Sequence, residues 1–131
     1  MLKRTHLAMG IATTITLVTK DNMLIAPIAL VGSIAPDWDI YLGIKHRTLT
    51  HSLLALGISS YFLYTFNEQL GILWGVNYFT HLFLDSLTKA GVPFLYPLKK
   101  KHYGFKLFKT GGAEDFFIGL LLIYIIFSLV K

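Results

Sequence analysis

His81-Leu82-Phe83-Leu84-Asp85-Ser86-Leu87-Thr88 closes an apolar run that begins at Leu70. A histidine and a carboxylate four positions apart share one face of a helix. The residues around them are apolar round most of the circumference, as in a helix that lies in lipid. An isolated carboxylate is costly there. The pair therefore implies either a hydrogen bond to another helix or a cation shared with further ligands.

Four other apolar runs surround this one: Leu7 to Val18, Met23 to Ala35, Leu49 to Phe66 and Phe116 to Val130. None contains Lys or Arg. The first two fall short of the roughly 20 residues that span a bilayer comfortably, so they extend, tilt or dip in. Met1-Leu2-Lys3-Arg4 before an apolar run resembles a signal peptide, but no small-residue cleavage site follows, which suggests an uncleaved first helix. The chain of 131 residues is 54% hydrophobic and 15% charged. Soluble domains are about a quarter charged, so an ordinary soluble globule is disfavoured and disorder is excluded. The expected fold is all-α: one domain over 1–131, an integral membrane bundle of about five transmembrane helices.

Twelve Lys and Arg against seven Asp and Glu give a net charge of +5. If all five runs cross, every basic residue except Lys20 and Lys131 falls on the side of the N-terminus. The positive-inside bias makes that side cytoplasmic. Charge placed between apolar runs points to anionic lipid and topology rather than nucleic acid. The 88–115 connection alternates Lys with Tyr103, Phe105 and Phe108, a pattern suited to the lipid interface.

The ionisable residues also gather on that side. His6 opens the first helix, Asp37 and Asp39 follow the second run, and His46, Arg47 and His51 precede or open the third. His81 and Asp85 end the fourth, and Glu114 and Asp115 begin the fifth. His46 and His51 converge only if a helix starts between them, with Thr48 or Thr50 as N-cap. With no cysteine in the chain, a metal site must be built from His and carboxylates, which suits zinc, manganese or iron. The number of candidates allows one ion or two, some residues serving to orient the ligands. Ser52 lacks a Gly-x-Ser-x-Gly context, and no phosphate-binding glycine loop is present.

Pro36-Asp37-Trp38-Asp39, His46-Arg47-Thr48-Leu49-Thr50-His51-Ser52 and His81 through Thr88 resemble the YdjM-like family of membrane-bound metal-dependent hydrolases. Its pattern is P-D-x-D, H-R-x-x-T-H-S and H-x-x-x-D-x-x-T, then G-V and an aromatic-Pro pair, here Gly91-Val92 and Tyr96-Pro97. His6 resembles an early family histidine, and Thr110-Gly111-Gly112-Ala113-Glu114 its late T-G-x-x-E element. The short gap between Asp39 and His46 departs from relatives with a longer loop. The resemblance implies a multi-pass hydrolase with its site on the cytoplasmic side, acting on a phosphoester or related ester of a lipid-like substrate through a metal-activated water. Expected metal ligands are His6, Asp37, Asp39, His51, His81 and Asp85. Expected acid or base groups are His46 and Glu114; Arg47, Lys99 and Lys100 are expected to hold substrate. The alternatives are a metal-ion carrier or sensor, disfavoured by the bare opposite half, and a small membrane protein without chemistry.

Overall fold

The computed structural model describes residues 1–131 and is all-α, with six helices and no strand. In chain order these are α1 (Lys3–Leu17), α2 (Ala26–Leu30), α3 (Asp39–Leu42), α4 (Leu53–Phe66), α5 (Glu68–Ser86) and α6 (Ala113–Val130). Short 3₁₀ turns cover Val31–Ser33, Ala35–Trp38 and Leu49–His51. The central α5 packs against α1, α2 and α4, while α6 lies on α1. Its inward face carries Leu70, Leu73, Asn77, Tyr78, His81, Leu82, Leu84 and Asp85, all buried.

The second apolar run is not the single helix its composition suggests. Proline stands in the first turn of α2 and again at the start of the Ala35–Trp38 turn. A proline nitrogen has no hydrogen to donate, and its ring restricts the residue before it, so the helical ladder is interrupted. Only five residues of α2 remain α-helical. Gly10 lets this broken segment lie against α1, since a Cβ there would fall 2.5 Å from the Ser33 side chain.

The third run also starts later than expected. Neither Thr48 nor Thr50 caps α4; Ser52 does, accepting from Ala55 N at 3.1 Å. The helix start between them is a 3₁₀ turn, Leu49–His51, with Thr48 at its N-cap position but without a side-chain cap bond, and it brings His46 and His51 within 4.9 Å between ring centres.

By length and composition, α6 is the one helix able to cross a membrane. The fifteen residues of α1 rise about 22 Å and the fourteen of α4 about 21 Å, both short of a hydrocarbon core of about 30 Å. The longer α5 is diluted by Glu68, Gln69, Asn77, Thr80, His81, Asp85 and Ser86. Even so, α4 buries no residue and α6 only Asp115 and Gly119, so both present apolar side chains outward.

The 88–112 connection is a folded cap rather than a loose interfacial loop. Val92 pairs with Tyr103 and Thr88 with Phe108. Phe108 is buried with Met1, Met9 and Leu84, so it does not alternate with lysines in lipid as its sequence suggests. Gly104, at φ +146°, seats the cap on the end of α5; a Cβ there would come 2.2 Å from Ser86 O. On the same side, buried Asp115 accepts from Thr5 Oγ1 at 3.0 Å and from Gly111 N at 2.9 Å, tying the start of α1 to the start of α6. One end of the bundle thus holds the start of α1, the 36–51 segment, the end of α5 and the start of α6.

Candidate metal centre

At that end four buried side chains, Asp37, His51, His81 and Asp85, bring one ligand atom each within 4.8 Å of one another and can hold a metal ion. Asp37 comes from the 3₁₀ turn that the broken second run makes possible, and His51 from the turn before α4. His81 and Asp85 come from the last turns of α5.

Local hydrogen bonds fix which ring nitrogens face inward. His81 Nδ1 lies 2.7 Å from Ser33 O, an acceptor, so Nδ1 carries the hydrogen and donates it. His51 Nδ1 lies 3.2 Å from Thr50 Oγ1, whose own hydrogen goes to Asp39 Oδ2 at 2.9 Å. That hydroxyl can then only accept, so His51 Nδ1 carries a hydrogen too. With both rings neutral, their Nε2 atoms present lone pairs to two carboxylate oxygens. In that state four acceptors converge with no donor among them, so the cluster takes up either a metal ion or protons on the Nε2 atoms.

Their spacing suits a metal ion. His51 Nε2 is 3.6 Å from Asp37 Oδ1 and 3.3 Å from Asp85 Oδ2. The corresponding distances from His81 Nε2 are 3.6 and 3.5 Å, and the two Nε2 atoms are 3.3 Å apart. Four donors held tetrahedrally at about 2.0–2.1 Å from one ion stand about 3.3–3.4 Å from each other. The donor set thus has the spacing of ligands around one metal ion.

The remaining expected ligands lie around this quartet. His6 Nε2 is 3.1 Å from Asp85 Oδ1, and its ring stacks on His81 at 3.6 Å. The same Asp85 oxygen also receives Arg47 Nη2 at 3.2 Å and the Met1 amine. Arg47 thus already places a positive charge at that oxygen. Asp39 accepts from His46 Nδ1 at 2.9 Å and from Arg47 N at 3.1 Å, as well as from Thr50. Asp39, His46 and His51 form a second possible metal group. It competes for Nδ1 of His51, which already carries its hydrogen toward Thr50. Burial alone would raise the Asp37 and Asp39 carboxyls. In the ion-free cluster, hydrogen bonds from protonated His51 and His81 to Asp37, and from His51, His46 and Thr50 to Asp39, outweigh it and hold both below the ordinary carboxylate range.

The residues expected to bind substrate divide. The Arg47 guanidinium is buried and donates to Thr88 Oγ1 at 3.1 Å, Gly91 O at 2.9 Å and Asp85. Its backbone sits at φ +57°, a strained value for a non-glycine residue. Lys100 lines a cavity beside His46, and Lys99 does not. Glu114 is exposed and makes no hydrogen bond to any member of the centre.

The sequence profile of the YdjM inner membrane protein family matches residues 1–131. The chain belongs to that family. No curated protein and no solved structure matches it. In this YdjM chain the three quoted motifs all meet at the quartet: the first supplies Asp37, the second His51, and the third His81 and Asp85. Ser33 escaped the sequence reading because a main-chain carbonyl leaves no side-chain signal. Thr50 was visible inside H-R-T-L-T-H-S, but as a cap and not as the link between Asp39 and His51.

Proposed function

We propose that this protein is a multi-pass membrane metalloenzyme that hydrolyses an ester of a lipid-like substrate at the cytoplasmic membrane face. The observation that carries the reading is the set of four buried His and Asp ligand atoms within 4.8 Å of one another. Asp37, His51, His81 and Asp85 hold one divalent ion, zinc first by geometry, with manganese or iron as alternatives. Ser33, Thr50 and Asp39 orient the two imidazoles, and His6 and Arg47 anchor the far oxygen of Asp85. An ion so placed supplies an activated water at neutral pH when bound.

His46 is the group best placed to move a proton. Its Nδ1 donates to Asp39, which fixes the ring; its Nε2 stands 4.0 Å from Asp37 Oδ1. The side chain is 41% exposed, so it joins the buried quartet to water. A proton taken at Nε2 from the attacking water, and later returned to the leaving oxygen, leaves an imidazolium meanwhile stabilised by Asp39.

The multi-pass reading rests on the ends of the segments. The starts of α1, α4 and α6 meet the ends of the second run and of α5, which is the alternation expected of five passes. The basic residues near that end favour the cytoplasm.

A second reading is favoured by the ligand count. Catalytic zinc usually has three protein ligands and an open position, whereas four closed ligands mark a structural ion. One experiment separates the two. Purified protein, its Asp85→Asn variant and its His46→Ala variant are compared for zinc content and for hydrolysis of a chromogenic phosphate ester. The enzyme reading expects metal in wild type and His46→Ala, none in Asp85→Asn, and turnover in wild type alone. Metal without turnover of any ester leaves the structural reading, and wild type that takes up no metal defeats both.

A further inference from the structure

Two loops, 43–48 and 93–102, wall a cavity of about 190 Å³ next to the metal centre. Lys45, His46, Thr48, Tyr96, Lys100 and His102 line it, together with Arg47 and Pro93. No carboxylate takes part. The only cation here with an acidic partner in reach of its guanidinium is Arg47, neutralised by Asp85. Lys45 and Lys100 form no ion pair. The Tyr96 hydroxyl makes no hydrogen bond within the protein, while His102 is oriented by donating Nδ1 to Ala90 O at 3.0 Å.

Unpaired like charges around one small, partly enclosed space repel one another and focus a positive potential there. An entering anion removes that cost. The cavity is smaller than the roughly 300–1,000 Å³ of sites that enclose a drug-sized ligand, so it takes a headgroup and not a lipid. Ammonium groups from two loops, with a free hydroxyl, offer donors from several directions, as a many-oxygened tetrahedral anion requires. His46 is common to this cavity and to the hydrogen-bonded shell of the quartet, so an anion here has its linkage beside the metal. Leu95 and Leu98 stand exposed on the 93–102 loop, Leu98 at 91%, and place the mouth where lipid meets water.

We infer that this cavity binds the phosphate group of the substrate, gripped by Lys45 and Lys100 beside His46. The assignment rests on the metal-hydrolase reading and narrows it to phosphate-bearing substrates, whether the phosphate belongs to a lipid headgroup or to a water-soluble ester.

Inorganic phosphate is titrated calorimetrically into zinc-treated protein in phosphatidylcholine nanodiscs. Two double variants accompany wild type: Lys45→Gln with Lys100→Gln, and Lys106→Gln with Lys109→Gln, which removes equal charge outside the cavity. Wild type and the outer pair should bind phosphate alike, and the cavity pair at least about tenfold more weakly, the loss of a charge-assisted contact or more. Equal binding by all three, equal weakening in both pairs, or no binding by any, overturns the proposal. Zinc content of the same samples separates the two readings. Lysine-dependent phosphate binding without zinc keeps the cavity and sinks the metal centre; zinc without phosphate binding does the reverse. Repeating the titration with phosphatidic acid in the bilayer identifies the source. Suppressed phosphate uptake assigns the cavity to a lipid headgroup, and unchanged uptake to a soluble ester.

Discussion

His51 and His81 turn their Nε2 atoms toward each other across 3.3 Å, each ring having given its Nδ1 hydrogen elsewhere. Two lone pairs at that distance are repulsive without a cation between them. Replacing either histidine with alanine should abolish zinc binding. Asp39→Asn alters the hydrogen bonds that orient His46, Arg47 N and, through Thr50, His51, but none of the four quartet atoms, so it should retain the ion with about 10- to 100-fold weaker affinity. Metal titration with elemental analysis measures both; an Asp39→Asn protein that loses metal as completely as His81→Ala would make Asp39 a ligand.

The pH response has two limbs of different origin. Ligation needs imidazole without a hydrogen on Nε2, and the carboxylates around His51 favour its protonated ring, so protons compete from above the ordinary histidine value of about 6.5 and metal affinity should fall steadily as pH drops through neutrality. In the metal-free protein the relevant groups are Asp37 and Asp39, both held below the usual carboxylate range by their histidine partners. A depressed carboxyl binds fewer protons folded than unfolded. Its stabilisation is complete above the unfolded value of about 3.9 and is lost as pH falls through the folded one. Thermal melts of chelated protein should therefore hold from neutrality to about pH 5 and decline beyond, with a shallower decline in Asp39→Asn. Rising stability below about pH 4 contradicts this account.

Arg47 ties three segments together while buried, so its loss leaves Asp85, Thr88 and Gly91 short of partners. Arg47→Ala should lower stability by about 3–5 kcal/mol, the usual cost of breaking a buried ion pair. Arg47→Lys keeps the charge but cannot serve three acceptors with one planar fork, and should recover only part. Thermal unfolding in detergent checks the order. Equal melting of all three proteins would show the guanidinium to be dispensable to the fold.

His46 and Glu114 were both legible as acid or base groups, and the structure separates them. His46→Ala should keep zinc and slow turnover by about 10²- to 10⁴-fold, the range of general acid–base contributions. Exposed Glu114 touches none of the centre, so Glu114→Gln should change turnover by less than about threefold, within the reach of indirect surface effects. Steady-state rates on one chromogenic phosphate ester compare them, and the reverse ranking would return the role to Glu114.

Topology has its own check. Glu68 begins α5 at the end away from the quartet, and Lys100 lines the cavity beside it. Cysteines placed singly at the two positions should react with an impermeant maleimide from opposite faces of the membrane. Labelling from one face alone rejects the alternating arrangement.

The helices most visible in the sequence were the long apolar runs. α5 and α6 follow them closely because nothing inside those runs lacks an amide hydrogen, while α4 begins only at Leu53 of its run. The second run misled, for Pro27 and Pro36 weigh little in hydropathy yet interrupt the ladder of hydrogen bonds. The site was legible wherever chemistry resides in side-chain type, as with His81 and Asp85. Positional chemistry was not: Arg47 reads as a phosphate ligand until its guanidinium is found on Asp85, and Lys45 and His102 become neighbours only through the folding of two loops. Five crossings rest on charge and convergence, since by length and composition α6 alone is a span.

Asp37 and Asp85 also belong to different moments in the life of the chain. A polypeptide emerges from its N-terminus onward, and its segments fold in that order. When the 36–51 segment has emerged, the quartet has one carboxylate and one imidazole; its other half waits for the far end of α5. An ion held by the quartet could therefore not be captured before the end of α5 is made, and it would join α5 to the 36–51 segment. Metal loading serves as a timestamp on biogenesis: a nascent chain arrested short of Asp85 should hold no ion, and one arrested just past the 88–112 cap should already be loaded.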